Sequence, residues 1–235
     1  MKLNLFLLAL TLLLELGGCA EPEVASNIKV AGKMRDVMWL GQLQGKLSTD
    51  TITHHNTYGL GPMSNLKGEI LVLEGKTYIA QVLDSGTLRT REVQRAEAPF
   101  FVYSTDSDFQ NVELSNSSYA LESLEQFIDE AYAAYKQPLL VRIDGVFDSL
   151  KLHAVNLPEG AKVASPQEAH EGLTTFEYSG LQGTLIGFFS RTHQAVFTHH
   201  DSYFHGHFIS ADRTVLGHVD ELGFEANRIK LQVSK

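Results

Sequence analysis

Alternation of apolar and polar positions at a period of two runs through most of this chain and predicts a protein of short strands. Residues 68–73 and 76–82 alternate on either side of Glu74-Gly75, which reads as a two-residue hairpin turn. Asp84-Ser85-Gly86 reads as another turn, and residues 100–103 as another strand. One segment breaks the period. Leu121, Leu124, Ile128, Ala131, Tyr132 and Tyr135 recur at helical spacing, behind the candidate caps Ser117 and Ser118 and ahead of Pro138, which predicts one long helix. Residues 139–143 and 146–154 then flank Asp144-Gly145 as a second expected hairpin.

Residues 157–172 are loop-rich, with a short helix expected from Ser165 as cap and Pro166 in the first turn. Further strands are expected at 174–178, 183–190, 195–198, 204–210, 215–219 and 228–233. The expected fold class is α+β and β-rich: two mixed sheet or barrel-like units with few helices. The loop-rich stretch suggests a division into an N-terminal β-rich domain with the long helix, 28–158, and a C-terminal β-rich domain, 159–235.

The N-terminus follows another rule. Lys2, an apolar run over 3–14 and the small residues before Cys19 make a secretory signal peptide over 1–18, too short for a membrane span. Leu16-Gly17-Gly18-Cys19 resembles a bacterial lipobox, in which the cysteine becomes the lipidated first residue. Cys19 is the chain's single cysteine, so none is available for a disulfide. Residues 19–27 read as a tether, and the expected location is the bacterial cell envelope, with the membrane reached through a lipid anchor on Cys19. A net charge of −9 and the lack of a basic patch argue against nucleic acid as partner.

Candidate chemistry concentrates in Phe204-His205-Gly206-His207-Phe208 and in Leu216-Gly217-His218-Val219. On a strand His205 and His207 share one face while Phe204, Gly206 and Phe208 take the other. If the intervening turn centres on Asp212 and Arg213, Ser210 pairs with Val215 and His207 with His218, so three imidazoles converge from two neighbouring strands. In a chain with ten histidines, an alternating pair is also what a solvated strand face would carry. The third, cross-strand histidine favours a metal. Three imidazoles suit zinc, and also copper, iron or nickel, and three ligands with no fourth are the pattern of an open, catalytic site.

Two charges sit oddly among apolar residues. Glu69 shares a strand face with Leu71 and Leu73, and Arg142 lies within Leu140-Val141-Arg142-Ile143. Each is either at a solvated edge or held by a partner, because an unpaired buried charge is costly. His54, His55, His153, His170 and His193 read as solvated imidazoles, and His199-His200, close to the histidine hairpin, as candidate supports for it. No serine lies in a nucleophile-elbow pattern, and Gly59-Leu60-Gly61-Pro62 lacks phosphate-loop spacing.

Several of these segments together resemble the α-acetolactate decarboxylases. Tyr58-Gly59-Leu60-Gly61 continuing into Leu66-Lys67-Gly68-Glu69 is similar to that family's Gly-Leu-Gly-Thr-Phe and Asp-Gly-Glu stretch. Leu73-Glu74-Gly75-Lys76-Thr77-Tyr78, Ala98-Pro99-Phe100, Arg142-Ile143-Asp144-Gly145 and Gly183-Thr184-Leu185-Ile186-Gly187-Phe188 follow in order, ahead of the histidine block. The resemblance spans about residues 35–220. It implies zinc ligands at His205, His207 and His218, an active-site glutamate at Glu69 and an arginine at Arg142, at a site where two β-rich units meet, in a homodimer. The implied reaction is decarboxylation of 2-acetolactate to acetoin, with zinc stabilising the enediolate. A non-catalytic relative, binding zinc or a small 2-oxo or 2-hydroxy acid at the envelope, is the alternative. The family also carries a glutamate near its C-terminus for which no counterpart aligns, and Glu225, the nearest acid, is left unassigned.

Overall fold

The computed structural model describes residues 27–84 and 86–234. The expected signal peptide, Cys19 and the tether before Asn27 lie outside them, as does Ser85 of the expected turn.

Two antiparallel sheets carry the structure. The first has six strands: β1 (Ile28–Ala31), β3 (Tyr58–Pro62), β4 (Glu69–Leu73), β5 (Lys76–Val82), β6 (Leu88–Val93) and β8 (Phe101–Ser104), ordered β1-β8-β3-β4-β5-β6. Strands β2 (Leu47–Ser48) and β7 (Glu97–Ala98) pair with each other as a short ribbon. The second sheet has seven: β9 (Phe109–Val112), β10 (Ser118–Ala120), β11 (Leu139–Ala154), β12 (Thr174–Phe189), β13 (Phe204–Ser210), β14 (Leu216–Glu225) and β15 (Ile229–Ser234). Their order is β10-β14-β13-β12-β11-β15-β9, and a further pairing of β14 with β11 closes β11 to β14 into a ring. The β-rich, partly barrel-like class expected from the pattern is the one observed.

The Glu74-Gly75 hairpin forms as expected, both residues at positive φ (54° and 80°), the backbone that a two-residue turn between twisted strands requires. Asp144-Gly145 does not turn. Gly145, at φ 151°, lies inside the 16-residue strand β11, and a Cβ there would come within 2.1 Å of the Arg228 carbonyl oxygen. This glycine serves the close approach of a neighbouring backbone. Strand β12 likewise runs unbroken where two strands were expected, and 195–198 forms a turn with one isolated bridge, Gln194 to Thr198.

The expected boundary at 158/159 falls inside a hairpin. Strands β11 and β12, on either side of it, pair from Leu139–Phe189 through Ala154–Thr174, so the loop-rich stretch connects neighbours in one sheet.

Among the described residues, three α-helices pack on these sheets: α1 (Met34–Leu40), α2 (Leu121–Ala131) and α3 (Pro166–Ala169). Helix α2 is shorter than its periodicity predicted. Ser118 is spent in β10, the start is capped by Ser123 Oγ accepting from Ala120 N at 2.9 Å, and Arg191 donates to the carbonyls of Asp129, Tyr132 and Tyr135. Those terminal carbonyls thereby have partners without a further helical turn. Helix α3 forms as expected, with Ser165 Oγ accepting from Glu168 N. Helix α1 was not anticipated, being only seven residues with Met34, Val37 and Met38 buried.

Between the sheets, Leu60, Leu71, Leu73, Ala80 and Val102 of the first meet Leu140, Ile186, Phe188, Ile209 and Leu216 of the second. Leu71 and Leu73 fix the inward face of β4, and counting by two puts Glu69 on that same face. Ile209 does the same for β13, turning His205 and His207 inward. Glu69 and the imidazoles of the histidine hairpin therefore meet in the layer between the sheets.

Candidate metal centre

The histidine hairpin has the register its turn implied. His207 pairs with His218, and Ser210 N donates to Val215 O at 2.9 Å. Asp212 organises the turn by accepting from Ser210 Oγ, Thr214 Oγ1 and Thr214 N. On the other face of β13, the Phe204 ring occupies the space a Cβ at Gly187 or Gly206 would need. That packing holds the strand flat while its odd-numbered residues face inward.

His205, His207 and His218 are all buried, and their rings lie 4.8–5.5 Å apart, centroid to centroid. One nitrogen from each falls within 4.8 Å of the others. His205 Nδ1 donates to Phe197 O at 2.5 Å and His207 Nδ1 to Ile70 O at 3.0 Å. Each carbonyl fixes the tautomer, leaving Nε2 with its lone pair. His207 Nε2 is buried with no hydrogen-bond partner, an arrangement that is costly unless something else takes that lone pair. Burial holds all three imidazoles neutral: His205 and His218 titrate well below the usual histidine range and His207 is pushed down to about 3. With all three imidazoles neutral, two of them fixed in tautomer and one nitrogen orphaned, the set fits a divalent metal.

Glu69 joins it from the other sheet. Its Oε1 accepts from Val155 N at 3.0 Å, and its Oε2 lies 3.5 Å from His207 Nε2. Burial raises this carboxyl to about 7, partly opposed by His153 and by the Val155 amide. Of the two alternatives open for an acid in an apolar strand, Glu69 takes the held one.

Arg142 is not among the residues lining the pocket around Glu69, His205 and His218. Its direct neighbour across the sheet is Ile186, and His207 lies one strand further, about 10 Å away at ordinary strand spacing. Its guanidinium is taken up by Asp144 at 2.6 Å, Glu74 at 2.7 Å and Tyr58 Oη at 3.3 Å, with Thr184 Oγ1 also donating to Asp144. These partners, on β3, on the turn after β4 and on β11 itself, make Arg142 a tie between the two sheets.

A residue that the pattern had left in solvent does line the pocket. His153 is buried on β11 directly opposite His218, their rings stacked 4.4 Å apart, with Nδ1 2.7 Å from Asp220 Oδ1. A register shift between Lys151 and Leu152 makes Asp220 the extra residue of a β-bulge on β14. The signal available in the sequence was the alternation Leu150, Leu152, Ala154, which makes 153 an inner-strand position. His199 also lines the pocket, 5.1 Å from the His218 ring, whereas His200 is exposed; His170 completes the wall. Met34, Met38, Leu66 and Phe100 form its apolar side, and the free volume is about 30 Å³.

The fold and this cluster define a two-sheet protein with a buried three-imidazole cluster that could hold a metal, faced by a carboxylate. The alpha-acetolactate decarboxylase profile matches residues 30–235. The chain is 27% identical over 210 residues to the alpha-acetolactate decarboxylase of Methanosarcina mazei, covering 89% of this chain and 70% of that protein. It is likewise 27% identical over 219 residues to that of Brevibacillus brevis, covering 90% and 74%. The crystal structure of the Bacillus subtilis strain 168 alpha-acetolactate decarboxylase has the same fold, with a TM-score of 0.73 at 23% identity over 89% of this chain and 85% of that one. The chain belongs to the alpha-acetolactate decarboxylase family, and with it to the carboxy-lyases.

Proposed function

We propose that the protein is a zinc-dependent decarboxylase converting 2-acetolactate to acetoin and CO₂. The observation that carries this beyond family membership is Glu69, a buried carboxyl raised to about 7 and set against the orphaned His207 Nε2. His205, His207 and His218 would hold the ion, and three neutral imidazoles with an open position favour zinc. When bound, it supplies a Lewis acid for the ketone and hydroxyl oxygens.

Breaking the bond to the carboxylate leaves an electron pair on the carbon that carried it, delocalised toward the neighbouring ketone. Glu69 delivers the proton to that carbon, giving acetoin, and is reprotonated from solvent. Its raised pKa suits a group that must hold a proton near neutrality and then release it. Met34, Met38, Leu66 and Phe100 give the substrate's methyl groups an apolar wall and exclude water from the reacting carbon. In the same reading Cys19 carries a lipid that keeps the enzyme at the cell envelope; palmitate labelling lost in Cys19→Ala supports the anchor, and labelling retained rejects it.

The test is direct. Purified protein loaded with one zinc per chain is incubated with racemic 2-acetolactate and acetoin is assayed. Formation above the spontaneous rate supports the proposal; none, with zinc confirmed bound, overturns it.

A further inference from the structure

We infer that His153, held by Asp220, is a substrate-positioning residue that accepts a hydrogen bond from the 2-hydroxyl of the substrate. The inference rests on the proposed substrate class, a 2-hydroxy acid.

Four observations converge on it. His153 is buried at a polar position of β11 and lines the pocket that also contains Glu69, His205 and His218. Its ring stacks on that of His218, 4.4 Å between centroids and 30° between planes, so it lies beside the three-imidazole set without being one of it. Asp220 accepts from Nδ1 at 2.7 Å. A carboxylate partner makes Nδ1 the protonated nitrogen and leaves the lone pair on Nε2, across the ring. Last, Asp220 is the extra residue of the β-bulge that β14 makes against β11, a feature common next to active sites.

The chemistry of a 2-hydroxy-3-oxo acid calls for such a group. Its carboxylate must stay free to leave as CO₂, and its ketone takes the growing charge. The tertiary hydroxyl is the donor left to fix the orientation of the molecule, and a lone pair on Nε2 is a matching acceptor. Arg142, engaged by Asp144, Glu74 and Tyr58, is not available for positioning.

The hydroxyl is isolated by comparing two stable acids of nearly equal size, 2-hydroxy-2-methylbutanoate and 2,2-dimethylbutanoate. Their affinities for the zinc-loaded protein are measured by calorimetry, alongside metal content and acetoin formation. The wild type should prefer the hydroxy acid, and His153→Ala should reduce that preference about five- to tenfold, the value of one hydrogen bond. Asp220→Ala should reduce it to the same extent, and the double variant no further, because the two side chains act as one unit. All four proteins should hold one zinc per chain. His153→Gln, which returns a side-chain acceptor, should recover part of the preference.

An undiminished preference in His153→Ala, or no preference in the wild type, overturns the inference. Loss of zinc from His153→Ala also overturns it, by making His153 a ligand. Two zinc ions per chain do so as well, by giving His153, His218 and Asp220 an ion of their own. Absence of acetoin with the preference and its loss both intact removes the proposed reaction and leaves His153 as the hydroxyl-recognising residue of a hydroxy-acid binding site.

Discussion

Glu69 Oε2 stands 3.5 Å from His207 Nε2, although the two residues belong to different sheets and are separated by 138 positions in the chain. Neither atom completes a hydrogen bond there. The pair defines the side of the histidine cluster on which a substrate oxygen and a proton can meet.

Glu69→Gln therefore separates binding from proton transfer. The amide keeps the shape and the contact with Val155 N but has no proton to give. Decarboxylation should fall by about 10²-fold or more, with zinc content unchanged. Steady-state acetoin formation together with elemental analysis checks it; activity within threefold of wild type would remove Glu69 from the reaction.

His207→Ala should lose the metal. Zinc in excess over its dissociation constant stabilises a folded protein that binds it, so the melting temperature of the wild type should rise by several degrees on adding zinc. The variant should show no rise. Retention of a full zinc by His207→Ala would show that the ligands lie elsewhere.

The metal-free protein should lose stability toward both ends of the pH range. Glu69 is raised from 4.5 to about 7, so the folded state holds its proton more tightly; that contribution is full below 4.5 and is lost as pH rises through 7. His207 is depressed from 6.5 to about 3, so its contribution is full above 6.5 and is lost as pH falls toward 3. Urea denaturation in chelator at pH 5.5 and pH 8 should show Glu69→Gln losing about 2 kcal/mol less than wild type between the two. Equal losses would place the alkaline arm on other groups.

Arg142→Ala is expected to cost stability and spare catalysis. Removing the guanidinium leaves Asp144 and Glu74 half-buried without their partner, a loss of about 2 kcal/mol. The value of kcat/KM at a temperature where the variant stays folded should remain within about threefold. A hundredfold fall there would restore Arg142 to the active site.

Met38 should set the size limit of the substrate. With only about 30 Å³ free, a five-carbon acid enters by displacing flexible side chains, and Met34 and Met38 are the unbranched ones in the wall. Met38→Ala should improve the 2-ethyl homologue of acetolactate relative to acetolactate itself, at about 2–3 kcal/mol of stability. Competition between the two substrates reads this out, and an unchanged ratio would place the constriction elsewhere.

The convergence of His205, His207 and His218 was legible because its information is local. A period of two and a short turn determine the hairpin, and Asp212 and Ser210 enforce the turn that the register assumed. Glu69 was half legible: its face followed from Leu71 and Leu73, but that this face is buried by a second sheet did not. Gly145 misled because the same residue serves a turn and a strand pressed against a neighbour, and only the neighbour, Arg228, distinguishes them. The surroundings of Arg142 and His153 were illegible for a related reason. Each lies on β11 among apolar neighbours, and what differs is their cross-strand company: Ile186 and Gln232 for one, His218 for the other. The bulge that supplies Asp220 leaves no mark in a single strand's alternation, since it is a mismatch between two.

The hydrogen bond from His207 Nδ1 to the Ile70 carbonyl has a meaning for the assembly of the molecule. The tautomer of His207 is set by the backbone of the other sheet, so its Nε2 is presented to the cluster only once the sheets have docked. If the cluster takes an ion as proposed, its capture would be the closing event of folding, joining the histidines of one sheet to Glu69 of the other.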